Sequence, residues 1–159
     1  MEKESIALLD LFKERGVEFT LHEHAPVYTS EEASRVRNVE LKTGVKAMVV
    51  REKGQEAKFL LVDVAADRRI DFVKLETLAG VKHFRFATRE EVLERTNCEP
   101  GSVHPFGSLF GIPTFLDNSV LENEFVNFNI GMLTKSVRIR SRDLLRVMQP
   151  ELLGDFSKL

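Results

Sequence analysis

The loop from residue 99 to residue 107, which reads Glu-Pro-Gly-Ser-Val-His-Pro-Phe-Gly, has the most unusual chemistry in this sequence. Gly101 permits backbone angles that other residues avoid, so a ligand can approach the main chain closely there. Successive N–H groups of such a turn can point into one concavity and hold an anion or a developing oxyanion. A purely structural turn would use the same residues. Spacing alone leaves both interpretations open.

Lys46 is the second candidate, because it directly precedes the apolar run Ala47-Met48-Val49-Val50. Successive side chains of a strand alternate between its two faces, so Lys46 is expected to point to the same side as Met48. A lysine at the start of a strand is also a common solvated surface residue. The pattern therefore suggests a functional cation without requiring one.

Other catalytic chemistries lack their usual motifs. The sequence contains no glycine-rich phosphate fingerprint after a strand, no His-Glu-x-x-His helix and no Gly-x-Ser-x-Gly elbow. His22 and His24 could share one face of a strand, and a zinc site would need a third ligand such as His83, His104 or an acid. The single Cys98 excludes an intramolecular disulfide, and a buried or incidental thiol is favoured over a nucleophile.

Length and composition indicate one globular domain spanning residues 1–159. Hydrophobic residues make up 43% and charged residues 30% of the chain. The charged N-terminus precedes no long apolar run, so we expect neither a secretory signal nor a membrane span, and a cytoplasmic location. The net charge of −2 carries no nucleic-acid signature. Two basic groups nevertheless permit RNA contact: Lys135, Arg138, Arg140, Arg142 and Arg146, and Arg35, Arg37, Lys42, Lys46, Arg51 and Lys53.

Helices and strands are predicted to alternate irregularly along the chain, which favours a mixed α/β or α+β domain around one sheet. Two capping boxes, at Thr29 with Glu32 and at Thr88 with Glu91, start helices, and Ser141 is expected to cap the last helix. The other predicted helices cover 5–15 and 75–80. Predicted strands cover 17–21, 47–50, 59–64, 83–86, 114–116, 125–128 and 137–139, with a hairpin between the second and third.

Four ordered segments resemble the YbaK/prolyl-tRNA-synthetase-associated domain family, which removes wrongly attached amino acids from tRNA. They are His24-Ala25-Pro26-Val27-Tyr28-Thr29, Gly44-Val45-Lys46-Ala47-Met48-Val49-Val50, Pro100-Gly101-Ser102-Val103-His104-Pro105-Phe106-Gly107 and Ile112-Pro113-Thr114-Phe115-Leu116-Asp117. Together they give a resemblance over most of the chain, from about Leu8 to Met148. It implies a curved, partly barrel-like mixed sheet flanked by helices.

The resemblance also implies a site for the acceptor end of an aminoacyl-tRNA, with no cofactor, no metal and no membrane. An aminoacyl-tRNA synthetase is a further candidate partner. The implied catalytic residues are Lys46, Gly101 and Ser102, with backbone N–H groups near the last two stabilising the oxyanion. The implied substrate-binding residues are Pro26, Thr29, Met48, Val103, His104, Pro105, Phe106, Gly107 and Asn129.

Two positions depart from the family pattern. Several prolyl-type relatives have a histidine where this chain has Asn129, and many have asparagine where it has Ala47. Both departures bear on which amino acid is removed. Asn129 also favours an alternative, a non-catalytic module that binds aminoacyl-tRNA or a synthetase. The second alternative is a metal-dependent hydrolase built on His22 and His24.

Overall fold

A computed structural model describes residues 2–159 of the chain. Five α-helices and ten β-strands lie within this described part, with short 3-10 helices between some of them. The helices are α1 (Glu2–Glu14), α2 (Ser30–Arg37), α3 (Phe72–Ala79), α4 (Arg89–Thr96) and α5 (Ser141–Met148). The strands are β1 (Thr20–Glu23), β2 (Val45–Glu52), β3 (Phe59–Ala65), β4 (Arg69–Ile70), β5 (Phe84–Phe86), β6 (Thr114–Asp117), β7 (Phe125–Asn129), β8 (Lys135–Arg140), β9 (Leu152–Gly154) and β10 (Ser157–Lys158).

The strands form three sheets, and the largest is mixed. Its order is β5-β2-β3-β6-β9, with antiparallel pairs around β2 and parallel pairs on both sides of β6. A second, antiparallel sheet has the order β1-β8-β7, and β10 pairs with β4. An isolated bridge between Gly44 and Asn127 connects the first two sheets just before β2. The predicted mixed α+β class is confirmed.

The β2–β3 hairpin, which two β-rich runs and a polar turn predict, lies at the centre of the large sheet. Val45 pairs with Ala65 at one end and Arg51 with Phe59 at the other. Val62 and Val64 on β3 are buried in one apolar cluster, whereas Leu61 belongs to a second cluster on the opposite face. Because both faces are covered, the hairpin is a rigid base for the residues at its ends.

Local capping explains where the helices begin, and it corrects two expectations. Thr88 forms the predicted capping box with Glu91. Thr29 accepts a hydrogen bond from the Glu32 N–H, but the Glu32 carboxylate accepts from the Tyr28 N–H, so the predicted box at Thr29 is only half formed. Ser141 does not cap α5: Arg140 is the N-cap residue, and the Ser141 hydroxyl donates to the carbonyl oxygen of Glu124 instead.

The first strand begins later than predicted. The N–H of Val17 donates to the Phe12 carbonyl at 2.9 Å, so the chain is still closing α1 at that residue. Pairing with β8 begins only at Thr20. Within residues 2–159, no helix combines the length and the apolar character that crossing a membrane requires.

Candidate functional site

A cavity of about 440 Å³ lies between β2, α2 and the loop that follows α4. This volume falls within the range of small-molecule sites, which is roughly 300–1,000 Å³. The structure brings together part of the predicted site at its wall, namely Thr29, Lys46, Met48, Gly101, Val103 and Asn129. The structure thus places Lys46 and the beginning of the 99–107 loop at the wall of one cavity.

The free edge of β2 forms one side of the cavity. β5 pairs only with Val50–Glu52, and the last bond on this edge runs from the Ala87 N–H to the Val49 carbonyl oxygen. In a strand, the N–H and C=O groups of alternate residues point to the same side. Those of Ala47 therefore point to the same edge as Val49, into the cavity, where β5 no longer covers them.

Lys46 is half-buried at this edge, and its ammonium group makes no ion pair with any residue of the described range. Burial lowers its pKa, and the more distant carboxylates of Glu31 and Asp67 oppose that shift. A partly desolvated amine without a carboxylate partner can attract an anionic or strongly polarised group of a ligand.

The beginning of the loop lines the cavity with Pro100, Gly101 and Val103. Gly101 has a φ of 89°, a left-handed conformation that suits glycine. The Ser102 N–H already donates to the Glu99 carbonyl oxygen at 2.9 Å, and the Ser102 hydroxyl donates to the same atom at 2.7 Å. The N–H groups of Gly101 and Val103 find no acceptor among residues 2–159. These two are therefore the donors that remain for a ligand.

The middle of the loop lies in the core instead. His104 is fully buried, its Nδ1 accepts a hydrogen bond from the Phe106 N–H at 3.2 Å, and its ring stacks on Phe110. Burial lowers the pKa of His104 to about 3, so the ring is neutral at physiological pH. Phe106 packs against Phe12 and Phe128. Neither side chain lines the cavity.

Four further residues of the predicted site also lie outside the cavity wall. Ser102 and Pro105 are buried, and Pro26 is exposed. Gly107 donates its N–H to Thr114 Oγ1 at 2.9 Å, and a Cβ atom at this position would lie 2.5 Å from the Ile112 carbonyl oxygen. Gly107 therefore allows close packing of the loop on β6.

Arg37 lines the cavity, although the sequence marks it only as part of a basic group. Its guanidinium donates to Ser136 Oγ at 2.8 Å, to Asn127 Oδ1 at 2.7 Å and to Asn129 Oδ1 at 2.9 Å. Burial lowers the pKa of Arg37 to about 10, and no carboxylate of the described chain pairs with it. The sequence signal was weak, because its neutral partners lie about 90 residues away along the chain.

Asn129 connects this guanidinium to the loop. Its Nδ2 donates to the Gly101 carbonyl oxygen at 2.8 Å, while its Oδ1 accepts from Arg37 and from Ser136 Oγ. The side chain is 8% exposed. Asn129 therefore holds the cavity end of the loop, a role that needs no titratable group.

The histidines proposed for a metal site do not come together with a third ligand. The rings of His22 and His24 are 5.7 Å apart, and Nε2 of His24 is hydrogen-bonded to Ser136 Oγ at 2.6 Å. Across residues 2–159, no three His, Cys, Asp or Glu side chains form a group that could hold a metal ion.

Comparison with known proteins agrees with this geometry. Residues 24–147 match the model of the aminoacyl-tRNA editing domain, and the chain belongs to that family. The multifunctional Ser/Thr-tRNA deacylase ProXp-y of Escherichia coli (strain K12) is 33% identical over 149 residues, which cover 92% of this chain and 89% of the relative.

Two further relatives connect the chain to prolyl-tRNA synthetase. A solved structure described as a candidate trans-editing enzyme for that synthetase is 27% identical, covers 98% of each chain and has a TM-score of 0.79. A proline–tRNA ligase of Bacillus cereus (strain AH187) is 33% identical over 90 residues, 57% of this chain and 15% of the ligase. The chain thus matches only a small part of that longer enzyme.

Proposed function

We propose that the protein is a cytoplasmic aminoacyl-tRNA deacylase, which hydrolyses the ester between a small amino acid and the terminal adenosine of a mischarged tRNA. Membership of the editing-domain family supports the reaction class. One observation supports the site. Lys46 lines the cavity and has no ion-pair partner in the described chain. Gly101 and Val103, whose N–H groups are unbonded, line the same cavity.

The chemistry follows from these groups. Water adds to the ester carbonyl, the tetrahedral oxyanion forms, and its collapse releases the amino acid and the free hydroxyl of the adenosine. The N–H groups of Gly101 and Val103 stabilise the oxyanion, whereas the N–H of Ser102 is already bonded within the loop. Lys46 attracts the ester carbonyl or the terminal phosphate by charge. The hydroxyl or amine of the substrate itself positions the water.

The lining of the cavity supports a small amino acid. Ala33, Ala47 and Ala66 line the cavity with small side chains, and Thr29 and Ser30, which carry hydroxyl groups, line the same wall. Small polar side chains can exchange hydrogen bonds with these hydroxyls. The Ser/Thr-tRNA deacylase named above is consistent with this choice, and serine and threonine are the first substrates to test.

Release of free amino acid from a panel of mischarged tRNAs tests the proposal. Changing Lys46→Ala should reduce the deacylation rate by about a hundredfold or more, the scale expected when one transition-state contact is lost. Lys58→Ala is the matched control, because Lys58 is exposed at the opposite end of the same hairpin and lies outside the cavity wall. Unfolding curves of both variants establish that the fold is retained.

The outcomes separate the competing functions. Full activity of the Lys46→Ala variant would refute the proposed site. If the wild-type protein binds charged tRNA tightly but releases no amino acid from any member of the panel, the non-catalytic module is the correct function. Loss of wild-type activity after chelator treatment, restored by zinc, would instead indicate a metal-dependent hydrolase.

A further inference from the structure

The β1-β8-β7 sheet has one apolar face and one polar face, and the polar face continues outward from the cavity. Val126, Phe128, Val137 and Ile139 are buried on the apolar face. Cross-strand partners share a face, so the register places Asn129 beside Ser136 and Asn127 beside Arg138 on the polar side. Phe125 beside Arg140 completes the row. The cavity wall and the outer surface of this sheet are therefore one surface.

Three arginines follow each other along this face. Arg37 lies at the cavity end over Asn127, Asn129 and Ser136. Arg138, the cross-strand neighbour of Asn127, stacks its guanidinium on Phe125 with the Cζ atom 4.1 Å from the ring centre. Arg140 lies over the same ring at 5.0 Å. Stacking fixes the two outer guanidinium planes and leaves their edges open to a ligand.

The charges of this row are weakly compensated. Arg138 is exposed and makes no ion pair within the described chain. Arg140 pairs with Glu124 at 3.3 Å, and the Glu124 side chain is 75% exposed, so this pair contributes little. Arg37, Arg138 and Arg140 therefore form a net positive strip that starts at the cavity, although the whole protein has a net charge of −2.

The spacing of the strip suits a polyanion that enters the cavity by its end. At about 3.3 Å per strand residue, Arg138 lies about 7 Å and Arg140 about 13 Å along β8 from Ser136. The two guanidinium groups, both stacked on Phe125, are thus close enough to contact neighbouring phosphates of one nucleic-acid strand. An RNA whose terminal nucleotide occupies the cavity would thus pass its adjoining phosphates over both guanidinium groups.

We propose that Arg138 and Arg140, stacked on Phe125, bind the backbone phosphates of the RNA strand whose 3′ end enters the cavity. This inference rests on the proposed deacylase function, because that function places the end of an RNA in the cavity. Phosphate contacts position a nucleic acid without reading its sequence. The strip therefore supplies affinity for tRNA in general, while the cavity selects the amino acid.

Kinetics with two substrates test the strip. One substrate is seryl- or threonyl-tRNA, and the other is the corresponding 3′-aminoacyl-adenosine, which has the same ester but no phosphate. The double change of Arg138→Gln and Arg140→Gln should raise KM for the charged tRNA about tenfold. It should leave kcat, and the hydrolysis of the adenosine ester, unchanged.

Arg95→Gln is the matched control. Arg95 is also an exposed arginine stacked on a phenylalanine, with its Cζ atom 4.0 Å from the Phe59 ring centre. Phe59 pairs with Arg51 at the end of the hairpin away from Lys46. The control variant should bind and hydrolyse charged tRNA as the wild-type protein does. A tenfold increase of KM in the control would show that loss of any exposed arginine weakens tRNA binding, and would overturn the assignment.

Binding of uncharged tRNA, followed by fluorescence anisotropy over a range of salt concentrations, tests the surface without relying on catalysis. Loss of two phosphate contacts should reduce the slope of log K against log salt by about 1.4 to 1.8. An unchanged slope and an unchanged KM in the double variant would overturn the proposal. If the wild-type protein hydrolyses neither ester, the deacylase function fails, while the anisotropy result still decides whether the strip binds RNA.

Discussion

Replacing Asn129 tests whether the hydrogen-bonded connection between Arg37 and the loop determines the geometry of the cavity. Asn129→Ala removes three hydrogen bonds: one to the Gly101 carbonyl oxygen, one from Arg37 and one from Ser136. The two bonds between neutral groups contribute about 1 kcal/mol each, and the bond from the guanidinium about 1.5–3 kcal/mol. We therefore expect the free energy of unfolding to fall by about 3–5 kcal/mol.

Asn129→Asp separates the two roles of the side chain. Its carboxylate would pair with Arg37, which has no other carboxylate partner in the described chain, so most of the stability should be retained. The new oxygen would face the Gly101 carbonyl oxygen, where the structure has an N–H donor at 2.8 Å. Repulsion there should move the loop by a fraction of an ångström or more and reduce kcat by up to about a hundredfold.

Urea unfolding and single-turnover deacylation measure both effects. Asn123→Ala is the control, because Asn123 makes one exposed bond to the Lys42 carbonyl oxygen and its loss should cost less than about 1 kcal/mol. A stability loss below about 1 kcal/mol for Asn129→Ala would refute the connection. Wild-type kcat in Asn129→Asp would show that the position of Gly101 does not control catalysis.

Two further predictions concern the half of the loop that lies in the core. Between pH 6.5 and the His104 pKa of about 3, only the unfolded chain takes up a proton at this ring, so the folded state should lose up to about 1.4 kcal/mol per pH unit as the pH falls. Urea unfolding at pH 7, 6 and 5 should show a smaller loss in a His104→Asn variant; equal losses would contradict the buried neutral ring. Gly107→Ala places a Cβ atom 2.5 Å from the Ile112 carbonyl oxygen, so the free energy of unfolding should fall by about 2 kcal/mol or more. Ser108→Ala, at the exposed neighbouring position, should lower it by less than about 0.5 kcal/mol. A melting temperature of Gly107→Ala equal to that of Ser108→Ala would contradict the close packing on β6.

Local patterns were sufficient for the elements that depend on neighbouring residues. The capping box at Thr88 was predictable because a cap is made within four residues. The β2–β3 hairpin followed from two β-rich apolar runs and a short polar turn between them. The N-cap at Asp71 was missed. The short strands β9 and β10 were also missed, because strands of two or three residues carry no measurable period.

The candidate site was predictable only in part. The family resemblance pointed to Lys46 and to the loop as a whole. The structure separates the first half of the loop from the second half. Gly101 and Val103 face the cavity, whereas His104 and Phe106 are buried in the core. Adjacent loop residues can point in opposite directions, and the packing partners that decide between them lie far away in the sequence.

The sequence by itself determined the mixed fold class, the position of Lys46 at the start of a strand, and a loop suited to close backbone approach. Only the tertiary structure decided that the beginning of that loop lines the cavity while His104 and Phe106 lie in the core. It also brought Arg37 onto Asn129, a contact between residues 92 positions apart. Such long-range contacts depend on how the sheets pack together, and no local pattern of residues encodes that packing.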